Sequence, residues 1–145
     1  MEDIVPLLLV VLLLVLVLGV VTFVARVQPA KVLVVASARN CARSGVETLA
    51  AGRGLPQALI TAVETARAGT AIDPTGLQVQ AHAEERWGRG RVFVCETTYR
   101  VEVGDVPLIA WFYPKDQVTL TSRASLSIEP YKSRWEEPAP GWGEE

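Results

Sequence analysis

LLLVVLLLVLVLGVVTFVARVQPAKVLVVASARNCARSG, residues 7–45, decides the architecture. It begins as hydrocarbon and ends as a polar, arginine-dotted stretch carrying a cysteine. Extended to the left, Ile4 to Ala25 is 22 residues without a charge, almost all Leu and Val. At 1.5 Å per residue a helix of that length reaches about 33 Å, enough for the roughly 30 Å hydrocarbon layer of a bilayer. Valine is a modest helix former in water. In lipid the backbone must satisfy its own hydrogen bonds, so helix is the expected form.

A cleaved signal peptide is the rival reading. Such peptides have a basic start, a shorter apolar core and a small-residue cleavage site. Here the start is the acidic MEDIVP, the apolar run is long, and VTFVA ending at Ala25 is a poor cleavage pattern. A retained span is therefore expected, with residues 1–28 as anchor, 29–130 as an α+β head and 131–145 as a tail. Orientation is pulled two ways. Arg26, Lys31, Arg39 and Arg43 follow the span and no Lys or Arg precedes it, which by the positive-inside rule puts the head in the cytoplasm.

Pro29 predicts a kink where the helix leaves the membrane. Beyond it Val34, Ala38, Cys41, Gly45 and Leu49 recur at spacings of three and four, one face of an amphipathic helix. Arg39, Arg43 and Glu47 mark another face, and Gly52 and Gly54 are expected to end the helix. A second, shorter helix is expected over LPQALITAVETARAG, with Pro56 in its first turn and Gly69 at its end. Its apolar side is Leu59, Ile60, Val63 and Ala66. Asp73 to Gly76, DPTG, is a turn.

The period then changes to two. Leu77, Val79, Ala81 and Ala83 alternate with Gln78, Gln80 and His82. Phe93, Cys95, Thr97, Tyr99, Val101 and Val103 share one face of a second segment. Val118, Leu120, Ala124, Leu126 and Ile128 alternate with polar residues in a third. These are half-buried antiparallel strands. The fold class is α+β: a long transmembrane helix continuing into an amphipathic one, a second short helix, then a three- to four-stranded antiparallel sheet. The last residues, YKSRWEEPAPGWGEE, lack periodicity and read as a mobile tail.

The formal charge of −2 gives no reason to expect a nucleic acid partner. The single histidine, His82, falls on the polar face of a strand, and no second histidine or close cysteine pair accompanies it for a metal. Glu84 and Glu85 read as a solvated pair, and GRG at Gly88 to Gly90 as a hairpin connection. No nucleophile and base can be assembled. No catalytic residue, metal, cofactor or small-molecule substrate is expected. Cys41 and Cys95 are more informative. Both lie on apolar faces that should meet where helix packs on sheet. A bridge between them would add about 2–4 kcal/mol to a small core and needs an oxidising compartment. Two buried free thiols are the alternative. The bridge argues for an extracytoplasmic head, against the positive-inside count. Leu108, Ile109, Trp111, Phe112 and Tyr113, bracketed by Pro107 and Pro114, form a short strand, a partly buried loop or an exposed contact surface.

The layout resembles type IV pilin-like proteins, more closely the TadE/TadG-like minor pilins and pseudopilins of tight-adherence systems. The residues that carry the likeness are LLLVVLLLVLVLGVVTFVA at 7–25, ARNCARSGVETLAAG at 38–52 and VTLTSRASLSIE at 118–129. The resemblance implies a non-enzymatic structural subunit in the cell membrane with its head outside. Its partners would be membrane lipid and other pilin-like subunits or copies of itself, packed through the apolar helix into a surface filament or its base. Leu7, Leu14, Leu18, Gly19 and Phe23 would be the membrane and assembly positions, with Gly19 permitting close helix contact. No glycine precedes the apolar run for a prepilin peptidase to cut after. Glu2 or Asp3 would take the place of the glutamate that pilins carry near the mature N-terminus. The alternative is a bitopic, membrane-tethered accessory or binding module of a secretion or conjugation apparatus. A third reading, an enzyme with an unrecognised site, lacks residues to name.

Overall fold

In the computed structural model the residues described are 4–48, 51–85, 87–88, 90–106 and 115–128. Glu2, Asp3, Leu49, the run from Leu108 to Tyr113 and the tail 131–145 lie outside them, so the readings made of those residues rest on sequence alone. The elements are α1 (Ile4–Glu47), α2 (Ala51–Arg67), a 3-10 turn (Pro74–Gly76), then β1 (Gln78–Ala83), β2 (Val92–Glu102) and β3 (Gln117–Ser127). This is the expected α+β order.

The apolar segment and the first soluble helix are one helix of 44 residues, about 66 Å long at 1.5 Å per residue. It is unbroken at Pro29, which lies inside it. Proline has no N–H to offer the carbonyl four residues back. That carbonyl belongs to Ala25, the residue where the apolar run gives way to polar sequence.

Above Pro29 the helix buries Ala30, Val34, Ser37, Ala38, Cys41, Ala42 and Gly45. The spacing is the expected one, but the buried strip is wider because α1 meets α2 on one side and the sheet on another. The helix ends at Glu47 rather than at the glycines. Thr48 Oγ1 donates to the Gly45 carbonyl at 2.8 Å, which satisfies one of the orphan acceptors of the last turn. Gly52 and Gly54 instead open α2, which starts four residues before the expected Leu55. Gly54 is kept free of a side chain by packing: a Cβ there would lie 2.9 Å from Trp87 Cζ2.

So short a connection makes α2 run back along α1. Asn40 Nδ2 donates to Thr65 Oγ1 and Thr61 Oγ1 donates to Ser44 Oγ, each at 3.1 Å, one pair a helical turn from the other. The face of α2 against α1 and the sheet is Gly54, Ala58, Ala62 and Ala66, strictly every fourth residue and all buried. This corrects the expected apolar side. Only Ala66 of that set is buried. Leu59 and Val63 are half-buried, and Ile60 is 51 % exposed. Ranking residues by hydrophobicity selects the larger side chains. Two helices held side by side by a short loop select the smaller ones, because small residues let the backbones approach.

The sheet is antiparallel in the order β1-β2-β3. On β2 the face toward the helices carries Phe93, Cys95, Thr97, Tyr99 and Val101, as the alternation predicts. Opposite them on β3 stand Leu126, Ala124, Ser122, Leu120 and Val118. Two apolar clusters fill the space between sheet and helices. The lower one joins Ala30, Val34, Ala66, Ile72, Leu77, Val101 and Val103, and Phe23 and Val27 pack against it. The upper one joins Cys41, Ala42, Ala58, Ala62, Phe93, Cys95 and Ile128. Thr97 is fully buried, and its hydroxyl donates to the Val34 carbonyl at 2.9 Å. A buried hydroxyl is thereby satisfied by a carbonyl already used within the helix, whose second lone pair is free to accept.

Phe93 lies so close to α1 that a Cβ on Gly45 would fall 2.6 Å from its Cδ1, whereas nothing stands within 4 Å of a Cβ on Gly52. Overpacking of this kind costs about 1–3 kcal/mol, against roughly 1 kcal/mol gained by alanine over glycine in a helix. Gly45→Ala is therefore expected to lower the thermal midpoint of the detergent-solubilised chain. Gly52→Ala leaves it unchanged or raises it. Equal effects of the two substitutions would contradict the close approach of Phe93.

Candidate functional site

Two features stand out: the bare lower half of α1 and the bonded junction of α1 with the head. Leu7, Leu14 and Leu18 are 65 %, 55 % and 57 % exposed, and apolar side chains are exposed around the whole circumference from Ile4 to Val24. A helix apolar on every side has no stable position in water. Among the described residues one helix, α1, is long and apolar enough to cross a membrane. Gly19 is buried among the larger side chains of its own helix. The Thr22 hydroxyl donates back to the Leu18 carbonyl, one turn below, which keeps that polar group satisfied inside the helix. Phe23, grouped by sequence with the assembly positions, packs against the lower cluster of the head.

Cys41 and Cys95 form a disulfide that ties α1 to β2 across 54 residues of sequence, and among the described residues no cysteine is free. The apolar periodicity that placed the two on facing surfaces identified the pair from sequence. Around the bond, Trp87 meets Phe93 edge-on with ring centroids 5.4 Å apart.

A junction that sequence did not reveal lies lower down. Arg26 Nη1 donates to Asp105 Oδ1 at 2.5 Å, linking the first charged residue above the apolar run to the turn after β2. The hydrogen bond from Arg26 holds the Asp105 carboxyl below its usual range. The two residues are 79 positions apart and each sits in a locally featureless context, so no spacing signal marks them. Asp73 is the other shifted carboxylate. It accepts from the Thr75 backbone N–H at 2.9 Å and from the Thr75 hydroxyl at 2.7 Å, and these bonds lower its pKa. The expected DPTG turn is thereby capped, and Tyr99 Oη accepts from the Asp73 N–H.

The remaining polar candidates are dispersed. His82 is exposed on β1, paired in register with Val94. Glu84 accepts from Arg123 and Glu85 pairs with Arg91. Among the described residues no group of three His, Cys, Asp or Glu side chains converges as a metal site would require. A shallow groove between α1 and β3 is lined by Arg39, Asn40, Arg43, Ser122, Arg123 and Ser125 among others. Its side chains can bind by charge or contact, and its lining sets no histidine or carboxylate beside the two serine hydroxyls to act as general base. No family model, no curated protein and no solved structure matches the chain.

Closing 54 residues of sequence with a covalent bond removes loop-closure entropy worth about 4 kcal/mol in the chain-entropy model. Cys41→Ser with Cys95→Ser should therefore lower the denaturant midpoint of the head by a matching amount, and an unchanged midpoint would show the bond to be redundant. The two lowered carboxyls set a pH dependence of known sign. Each stabilises the fold above the ordinary carboxylate pKa of about 4, and that contribution is lost as pH falls through its lower folded value. Asp105→Asn and Asp73→Asn should each flatten the acid-side fall of the thermal midpoint.

Proposed function

We propose that the chain is a non-enzymatic, pilin-like structural subunit of the TadE/TadG-like kind. Ile4 to Ala25 anchors it in the cell membrane, and the α+β head lies on the extracytoplasmic side. The observation that carries this reading is the continuity of α1. The helix that is bare and apolar below Phe23 becomes, without a break, the central element of the head above Pro29. A rod of that construction can leave lipid and pack against its copies, because its apolar surface suits the core of a helical bundle as well as it suits acyl chains. Head-to-tail packing of such rods is an open, filament-forming arrangement.

The side of the membrane is argued from the disulfide. Cys41–Cys95 is a long-range structural bond, and such bonds persist in oxidising compartments and are rare in the cytosol. We weigh this above the four basic residues that follow the span. They lie on a helix of the folded head and two of them are already engaged, Arg26 with Asp105 and Arg43 with Glu47. A permanently membrane-bound accessory module of a secretion apparatus shares every one of these features except release into a filament.

Intact mass of the native protein, compared between sheared surface material and membranes, separates the two. A surface form with the disulfide in place is expected. A chain confined to membranes with the disulfide in place would transfer the assignment to the accessory module, and a reduced one would overturn the external head as well. A charge in the middle of the span costs about 2.5–3.5 kcal/mol of insertion. Leu14→Asp should therefore abolish insertion or assembly, while His82→Ala leaves both intact. Normal assembly of Leu14→Asp would remove the helix-core role.

A further inference from the structure

The head does not stand off from the apolar helix on a stalk. Its lower cluster reaches down α1 to Val27 and Phe23, and Phe23 lies within the uncharged run that ends at Ala25. The ends of β2 and β3 are held at the same level. Val103 N–H and Gly104 N–H both donate to the Asp116 carbonyl, at 2.8 and 3.2 Å, and Asp105 is held by Arg26. Chain segments some 80 residues apart therefore converge on the turn of α1 where the hydrocarbon-compatible sequence stops.

We infer that this base of the head, made by Phe23, Arg26 and Val27 of α1 with Asp105 and Lys115 beside them, is a lipid-contacting surface seated in the headgroup layer. The inference rests on the reading of Ile4–Ala25 as a span. Two observations favour lipid as the occupant. Continuity is the first: the base adjoins the span without any intervening polar turn of helix. Charge is the second. Arg26 and Lys115 stand against Asp105, Asp116 and Glu102, so the base is close to neutral and a zwitterionic surface suits it better than a strongly charged protein.

The consequence is a head that sits directly on the bilayer for as long as the chain is in the membrane, so that there its upper end, and not its base, is available to other proteins. The test uses the full-length chain, with its disulfide intact, reconstituted in phosphatidylcholine vesicles doped with phosphatidylcholine brominated near the headgroup end of the acyl chains. Tryptophan is added at exposed Lys115 in one variant (Lys115→Trp) and at exposed Gln57, near the start of α2, in another (Gln57→Trp). Emission is read as the difference from wild type. Most of the emission added by Lys115→Trp should be lost to bromine, and that added by Gln57→Trp should be retained. Should Lys115→Trp fail to form the Cys41–Cys95 bond, Asp105→Trp is read in its place. Retention of the emission at the base would overturn the inference, as would equal loss at both positions, which would mean a head lying along the surface. Extraction of the wild-type chain from the vesicles by alkaline carbonate would overturn the span on which the inference rests, and is scored separately from the quenching.

Discussion

From Ala30 upward α1 is packed by α2 on one side and by the sheet on another, and Cys41 holds it covalently to β2. From Thr22 downward the same helix has its apolar side chains exposed on all sides. One unbroken helix therefore carries two kinds of surface, and the rest of the structure is arranged around the join between them. The lower half sets its surface by composition, with Leu and Val around the full circumference and its one hydroxyl turned back onto the helix. The upper half sets its surface by pattern, with small residues toward its neighbours and Lys31, Arg39 and Arg43 toward water.

The choice of small residues has an energetic consequence. Of the fully buried large side chains, Phe93 and Ile128 are the two biggest, and much of the remaining interior is alanine. Burying an alanine removes little area from water, so a core built this way gains less from the hydrophobic effect than one of similar length built on leucine. What it gains is proximity: helices close enough for Asn40 to reach Thr65 and for Phe93 to rest on the backbone at Gly45. A small head with a modest core is the setting in which a covalent cross-link matters most.

The strands were legible from sequence, because a period of two leaves only one way to face Phe93, Cys95, Thr97, Tyr99 and Val101 inward; the exceptions are Leu126, expected on the apolar face of β3 but 41 % exposed, and Val94, fully buried although the alternation puts it on the other face of β2. The cysteine pairing followed from the same logic applied to a helix and a strand. The helical hairpin was less legible. Its loop is so short that Gly52 and Gly54 had to belong to one helix or the other, and their identity alone favours a helix end. The buried stripe of α2 was misplaced because hydrophobicity scales rank Ile60 above Ala62, while the distance to α1, which reverses that order, is a tertiary quantity. The Arg26–Asp105 pair was invisible for the opposite reason. Its members are ordinary surface residues whose meeting depends on the whole chain between them having folded.

The position of the disulfide along the chain also defines a path for mechanical load. Residues 42–94, which include all of α2 and β1, lie inside the covalent loop that it closes. Tension arriving from the C-terminal side passes along β3 and the later part of β2 to Cys95, and from there crosses through sulfur to Cys41 and down α1. α2 and the first strand are bypassed. They can be pulled upon as a unit but not unravelled from the end, so the part of the head shielded from the load is the part that the covalent loop encloses.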